Sequence, residues 1–341
     1  MRTADFEYPL PDRLIAQQAR PRGASRLLVL DRASGDVALT RISALPGLLA
    51  PGDLMLLNEV RVIPARLRAH RPRGGETELL LVRPLGGSAW EVMARPAKRL
   101  RPGGALSLAS GFAVPRERLA EGTWRVEFDP PLDESVLAVV GEVPLPPYIR
   151  REHGPSEADR LRYQTVYART GRAVAAPTAG LHFTPELLTA VGERGVEVAR
   201  LILHVGPGTF RPVQADDPLE HKLEPEDYEI LPEAAFALNR VLGSGRRVVC
   251  VGTTACRALE HALQVGCGRV LPGVRRADLF ILPGFRFRGT GALLTNFHLP
   301  RSTLLMLVAA LAGRKQVLSG YELAVREGFS FYSFGDAMLV L

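Results

Sequence analysis

The period of the apolar positions changes part-way along the chain. Between Leu67 and about Val143, short apolar runs are cut by Gly and Pro. Glu78 to Val82, Ala89 to Ala94, Ala105 to Ala109 and Trp124 to Phe128 read as strands, with Gly74-Gly75, Gly86-Gly87 and Gly103-Gly104 as turn signals. Short strands at such regular spacing predict a small barrel or sandwich. Pro144-Leu145-Pro146-Pro147-Tyr148 then stiffens the backbone and marks a boundary.

After Tyr163, helices alternate with apolar strands. Thr184 is placed to cap a helix, Pro185 fits its first position, and the apolar face opened by Leu187-Leu188 ends near Gly192 or Gly195. Val196 to Val205 reads as a strand. Arg246 to Val251 reads as another, followed by a tight turn at Gly252-Thr253-Thr254 and a helix from Ala255 to Leu263. Ser302 caps a predicted helix from Thr303 to Ala312, with Gly313 just beyond it. The apolar runs Arg26 to Leu30 and Asp53 to Asn58 supply further strands to the same sheet. The predicted fold is therefore an α/β main domain, discontinuous over residues 1–66 and 150–341, with an inserted small β-barrel-like domain at residues 67–149.

With 341 residues, 46% of them hydrophobic and 23% charged, the chain is sized for about two globular domains rather than for disorder. The first residues lack a signal-peptide pattern, and the apolar run from Thr303 to Ala312 is too short to span a bilayer, so a cytoplasmic location is expected. Cys250, Cys256 and Cys267 form neither an even framework nor a C-x-x-C pair, and no H-E-x-x-H spacing occurs. Disulfide scaffolding and a metal site are not expected.

Charge adds a partner to this picture. The net charge is +7, and Arg61 to Arg101 holds ten basic residues against Glu76, Glu78 and Glu91, which matches the whole excess. All but three of the chain's basic residues are Arg, whose planar fork suits bidentate phosphate recognition. Biased composition would produce the same count, so charge alone does not decide for a polyanion. Candidate chemistry lies in the other half. His182, His204, His221 and His298 stand at strand ends or in loops, where catalytic groups gather in α/β proteins. Gly252-Thr253-Thr254 sets backbone N–H groups and hydroxyls at a helix N-terminus, where an anion is favoured, although the string is neither G-x-G-x-x-G nor a Walker A loop.

Taken together, the strings resemble the S-adenosylmethionine:tRNA ribosyltransferase-isomerase family of queuosine biosynthesis. The resemblance runs almost end to end. It is carried most specifically by Ala175-Ala176-Pro177-Thr178-Ala179-Gly180-Leu181-His182-Phe183, by Leu203-His204-Val205-Gly206 with Gly208-Thr209-Phe210, by Val251-Gly252-Thr253-Thr254 with Arg257, and by Leu294-Thr295-Asn296-Phe297-His298-Leu299-Pro300. Glu226 and Tyr228 match as well. One departure is Glu224, which stands where the family usually has the second histidine of a His-Lys-Met-His-Ser-Glu string.

The resemblance implies transfer and isomerisation of the ribosyl unit of S-adenosylmethionine onto the aminomethyl group of a 7-deazaguanine in the anticodon of tRNA. Adenine and methionine leave, and S-adenosylmethionine is consumed as a substrate with no further cofactor or protein partner. Such chemistry needs a base for the C5′ hydrogen beside the sulfonium, donors for the departing adenine and a dry pocket. The residues that this implies are His182, His204, Glu226 and His298 for catalysis, with His182 placed ahead of His204 as the base. Thr178, Gly252, Thr253, Thr254, Arg257 and Asn296 are implied for substrate binding. Arg61, Arg66, Arg68, Arg71, Arg73, Lys98, Arg99 and Arg101 are expected to meet tRNA. A methyltransferase using the same cofactor lacks its glycine-rich loop here. A plain RNA-binding module would leave the polar strings of the α/β half unexplained.

Overall fold

A computed structural model describes residues 1–119, 122–206 and 213–341; the Gly208-Thr209-Phe210 string lies outside them. The chain opens with the hairpin β1 (Arg26–Leu30) and β2 (Val37–Arg41), turned at Gly35, then a helical turn α1 (Leu45–Leu48) and strand β3 (Leu54–Asn58). A short strand β4 (Val60–Val62) leads into the basic segment.

Six strands close a barrel there: β5 (Arg66–His70), β6 (Glu76–Gly86), β7 (Ala89–Arg95), β8 (Leu106–Ser107), β9 (Phe112–Arg118) and β10 (Trp124–Asp129). They pair in the order β5-β6-β7-β10-β9-β8, and β8 returns to β5 at His70 and Ser107. Alternate residues point inward, so Leu67, Ala69, Leu79, Leu81, Val92, Val126 and Phe128 fill the interior while the intervening charged residues face out. Two of these strands are not evident in the sequence pattern. β5 reads Arg-Leu-Arg-Ala-His, with only two apolar side chains, and β9 contains Pro115 and three charged residues. Pro115 is accommodated because the β9–β10 register shifts beside it, between Arg125 and Val126.

Helix α2 (Glu134–Val140), capped by Asp133, and strand β11 (Gly141–Glu142), paired with β5, bring the chain back towards the main sheet. Helix α3 (Glu157–Arg162) follows, and β12 (Thr170–Ala173) lies parallel to β4. The second half then alternates: α4 (Pro185–Glu193), β13 (Glu197–Leu203), β14 (Glu226–Ile230), α5 (Pro232–Gly243), β15 (Val248–Val251), α6 (Thr253–Val265), β16 (Gly273–Ala277), β17 (Thr290–Asn296), α7 (Thr303–Ala312), α8 (Arg314–Arg326) and β18 (Ala337–Val340). The caps act as their residue types dictate, since the hydroxyls of Thr184 and Ser302 accept the Leu187 and Leu305 N–H groups. Thr253 and Thr254 belong to α6 itself rather than to a tight turn before it. The turn is made by Gly252 alone, whose φ of 89° is a conformation that suits glycine.

Nine strands form the main sheet in the order β16-β14-β13-β3-β15-β17-β18-β1-β2. β13, β3, β15 and β17 run parallel to one another, and the central β3 and β15 are almost wholly apolar, because helices cover both faces. α5 to α8 pack on one face, and α1 and α4 pack on the other. The chain leaves β3 for β13 on one side and returns to β15 on the other. In open α/β sheets ligands bind at the carboxyl ends of strands beside such a reversal.

Two glycines probe this framework. A methyl group at Gly141 would overlap the backbone oxygens of Pro64 and Leu137, where the barrel is tied to the main body, whereas one at Gly192, on the exposed side of α4, meets nothing. Gly141→Ala should lower unfolding stability by about 2 kcal/mol or more, and Gly192→Ala should raise it by about 0.5–1 kcal/mol. Urea unfolding midpoints check both signs.

Candidate functional site

The four parallel strands end along one edge of the sheet, where they deliver Asn58, His204, Gly252 to Thr254, and Thr295-Asn296. β18 runs antiparallel to β17, and β1 runs parallel to β18, so both begin at this edge and bring Ser25 and Tyr332 to it. Asn58 staples the edge: its amide donates to Leu203 O and accepts from Leu203 N, both at 3.0 Å.

Two small cavities of about 30 Å³ each lie against this edge. One is bordered by Gly252, Thr253, Thr254 and Thr295, at the N-terminus of α6, with Val205 and Ala176 to Ala179 opposite. The other is bordered by Asn296, Tyr148, Tyr332 and Ser333. Thr178, His298 and Leu304 border both. Each is large enough for little more than a water molecule, so a bound substrate must part the walls. Thr178 and Leu304 are the half-buried side chains among those shared.

Polar groups around these cavities are fixed by specific partners. Asn296 Nδ2 donates to Tyr332 O at 3.0 Å and lies 3.2 Å from His182 Nε2. Asn296 Oδ1 is buried and has no partner among the described residues, which is costly unless a ligand supplies a donor. His182 Nδ1 lies 2.8 Å from Ser25 Oγ. Both ring nitrogens of His182 are therefore engaged, and burial together with the nearby Arg162 and Arg22 holds its pKa down to about 4. His298 Nε2 lies 2.7 Å from Thr295 Oγ1, and burial lowers its pKa to about 3. Tyr332 carries a positive φ of 71°, uncommon for a residue of its size, and its ring packs 4.6 Å from that of Tyr148.

The four catalytic candidates are thus separated. His298 borders both cavities, and His182 stands behind Asn296. His204 is half-buried against β12, with Nδ1 3.2 Å from the backbone of Arg172. Glu226 accepts from Gly206 N at 3.0 Å and pairs with Arg257 beyond the cavities. Of the substrate-binding candidates, Thr178, Gly252, Thr253, Thr254 and Asn296 meet at the cavities, and Arg257 lies deeper. Sequence reasoning did not single out Ser25, Tyr148 or Tyr332 as site residues, although Ser25 and Tyr148 lie in strings that share the family resemblance. Tyr148 follows a proline string that reads as a boundary, and Tyr332 is set apart only by its left-handed backbone, which the structure alone shows.

The basic residues also divide. Arg66 and Arg68, with Arg95, Arg150 and Arg151, line a cleft of about 710 Å³ between the barrel and the main sheet, whose far wall is Val174-Ala175. Arg68 is bound there by Glu142 and Glu76, and Arg66 by Glu78. Arg71 and Arg73 follow β5, and Lys98, Arg99 and Arg101 follow β7. Because both strands run antiparallel to β6, these five lie at one end of the barrel. None of the five pairs with a carboxylate among the described residues. Arg61 lies on β4 and is paired with Glu134.

A family model described as "Queuosine biosynthesis protein" matches residues 3–340. The chain belongs to this family. Among its relatives are the S-adenosylmethionine:tRNA ribosyltransferase-isomerases of Trichlorobacter lovleyi, 48% identical, and of Geotalea uraniireducens, 49% identical, each match covering 100% of both chains. The crystal structure of S-adenosylmethionine tRNA ribosyltransferase from Thermotoga maritima is also similar. It shares 36% identity with a TM-score of 0.56, over 99% of this chain and 100% of that one. This member of the queuosine biosynthesis family is a transferase-isomerase with an α/β domain and a barrel. No group of residues able to hold a metal ion occurs among the described residues, and no helix there is long and apolar enough to cross a membrane.

The two buried histidines set an acid limit on stability. Their folded pKa values lie below the ordinary 6.5, so at lower pH the unfolded chain takes up protons that the folded chain refuses. Their contribution is complete above pH 6.5 and is lost as pH falls towards 4 and 3. Each group adds a slope of about 1.4 kcal/mol per pH unit in that window. His298→Gln should flatten urea-derived stability between pH 6.5 and 4.5 by about one such slope, and an unchanged slope would mean that the ring is protonated in the folded state.

Proposed function

We propose that the chain transfers and isomerises the ribosyl unit of S-adenosylmethionine onto the aminomethyl group of 7-aminomethyl-7-deazaguanine in tRNA. The products are epoxyqueuosine-tRNA, adenine and methionine. The observation that carries this reading, beside family membership, is the buried, unpartnered Oδ1 of Asn296, which borders a small cavity adjoining the one at the α6 N-terminus. An acceptor there can take a hydrogen bond from the adenine amino group or a ribose hydroxyl. The N–H groups and hydroxyls of Thr253 and Thr254 offer donors to charge developing on the leaving base. Small, mostly apolar walls keep water from the activated ribose.

His298 is the residue we assign first as base for the C5′ hydrogen, because it borders both cavities. His182, with both nitrogens engaged, acts by orienting Asn296 rather than by meeting the substrate. His204 and Glu226 remain alternatives for the proton transfer. S-adenosylmethionine is consumed, and no further cofactor enters. The tRNA anticodon arm is read as lying along the cleft of Arg66 and Arg68, with its phosphates reaching Arg71, Arg73, Lys98, Arg99 and Arg101. The deazaguanine then approaches the cavities past Val174 to Thr178.

Purified protein given S-adenosylmethionine and tRNA bearing the aminomethyl-deazaguanine should release adenine and methionine. S-adenosylhomocysteine as product would point to methyl transfer, and binding without adenine release to an RNA-binding module. His298→Gln should keep both bindings yet lose exchange of the C5′ hydrogens with deuterated water by about two to four orders of magnitude. If His298→Gln keeps exchange while His182→Ala or His204→Ala loses it, the base is reassigned.

Replacing Arg71, Arg73, Lys98, Arg99 and Arg101 by Gln should weaken tRNA binding and flatten its salt dependence by roughly one unit of slope per lost contact. S-adenosylmethionine affinity should not change, and Arg61→Gln should have little effect. An unchanged slope in the fivefold variant would remove this end of the barrel from the interface.

A further inference from the structure

Arg257 enters the core from the second turn of α6 and is 5% exposed. Its guanidinium is held on two sides: Nε donates to Leu279 O at 3.2 Å, and Nη1 pairs with Glu226. Glu226 is itself anchored by the Gly206 N–H. The third nitrogen, Nη2, is shielded from solvent and has no hydrogen-bond partner among the described residues. A buried guanidinium N–H without an acceptor is costly, so a group fixed this firmly with one donor left over is prepared for an acceptor that arrives later.

That acceptor's surroundings define its chemistry. Arg257 borders a small pouch of about 10 Å³ with Leu223, Phe280, Ile281, Thr303, Leu304 and Leu307. Thr303 and Leu304 open the ten-residue helix α7, whose Ser302 cap takes the Leu305 N–H. The N–H groups of the first helical residues have no partner within the helix and favour an anion. A cation donor and a helix N-terminus therefore converge on a pouch whose walls are otherwise apolar. A phosphate, with three or more strongly hydrated oxygens, would find too few donors. A carboxylate at the end of a short apolar chain fits both the donors and the walls.

We propose that this pouch binds the α-carboxylate of the methionyl part of S-adenosylmethionine, with Arg257 Nη2 and the α7 N-terminus as donors. This rests on the function proposed above. Leu304 borders this pouch and both cavities at the strand ends, so a ligand that displaces it reaches all three. Leu223, half-buried on the irregular segment before β14, is the second movable wall. Glu226 then serves to aim Arg257 and to balance its charge while the pouch is empty.

The test compares equilibrium binding of S-adenosylmethionine and decarboxylated S-adenosylmethionine by calorimetry, with adenine release measured alongside. The wild-type chain should prefer the carboxylated ligand roughly 10- to 100-fold, the range of a charge-assisted hydrogen bond. Arg257→Met and the charge-balanced pair Glu226→Gln with Arg257→Met should bind both ligands within about threefold of each other, at the weaker affinity. Equal affinity of the wild-type chain for the two ligands overturns the proposal, and this comparison needs no variant to fold. Discrimination retained without adenine release would leave the carboxylate pouch standing and remove the catalytic reading instead.

Discussion

Helix α6 is buried on every side from Thr253 to Leu263, and the need to satisfy its polar groups organises the molecule around it. Glu260, with no exposed surface, accepts the N–H groups of Arg288, Gly289 and Thr290 and the hydroxyl of Thr290, which fixes the start of β17. Arg257 ties the helix to β14 through Glu226 and to the chain after β16 through Leu279. Thr254 Oγ1 lies 3.5 Å from the Asn58 amide at the end of β3. Without these contacts, a charged helix in an apolar core would be strongly unfavourable. With them, strands far apart in sequence are fixed at one edge.

That arrangement explains how much of the fold was legible in the sequence. β1, β3 and β15 are continuous apolar runs, and Thr184 and Ser302 are caps with purely local causes. The barrel was legible as a class, but β5 and β9 were not. Their inward side chains are few, and the strands persist because closure of the barrel supplies partners on both sides. The candidate site was legible as a set of strings but not as an arrangement. Glu226 and Arg257, or Ser25, His182 and Asn296, meet only through the sheet order β13-β3-β15-β17-β18-β1. No pattern along the chain encodes which buried atom is left unpartnered.

The same distinction applies to charge. The count between Arg61 and Arg101 locates a basic segment, yet the fold partitions it. Arg61, Arg66 and Arg68 are paired with Glu134, Glu78, Glu76 and Glu142. The residues at the β5–β6 turn and after β7 keep their charge open to a partner. Exposed pairs of this kind contribute little to stability, so their main effect is to shape the local field.

The position of β3 has a consequence for synthesis on the ribosome. This strand lies between β13 and β15, both of which are made only after the whole barrel has emerged. At ordinary rates of synthesis the apolar Leu54 to Asn58 segment therefore waits roughly ten to thirty seconds for its neighbours. The barrel, whose strand partners are all local, can close within that interval. It would be the first unit to become compact on the nascent chain, while the future centre of the larger sheet still lacks the strands that cover its edges.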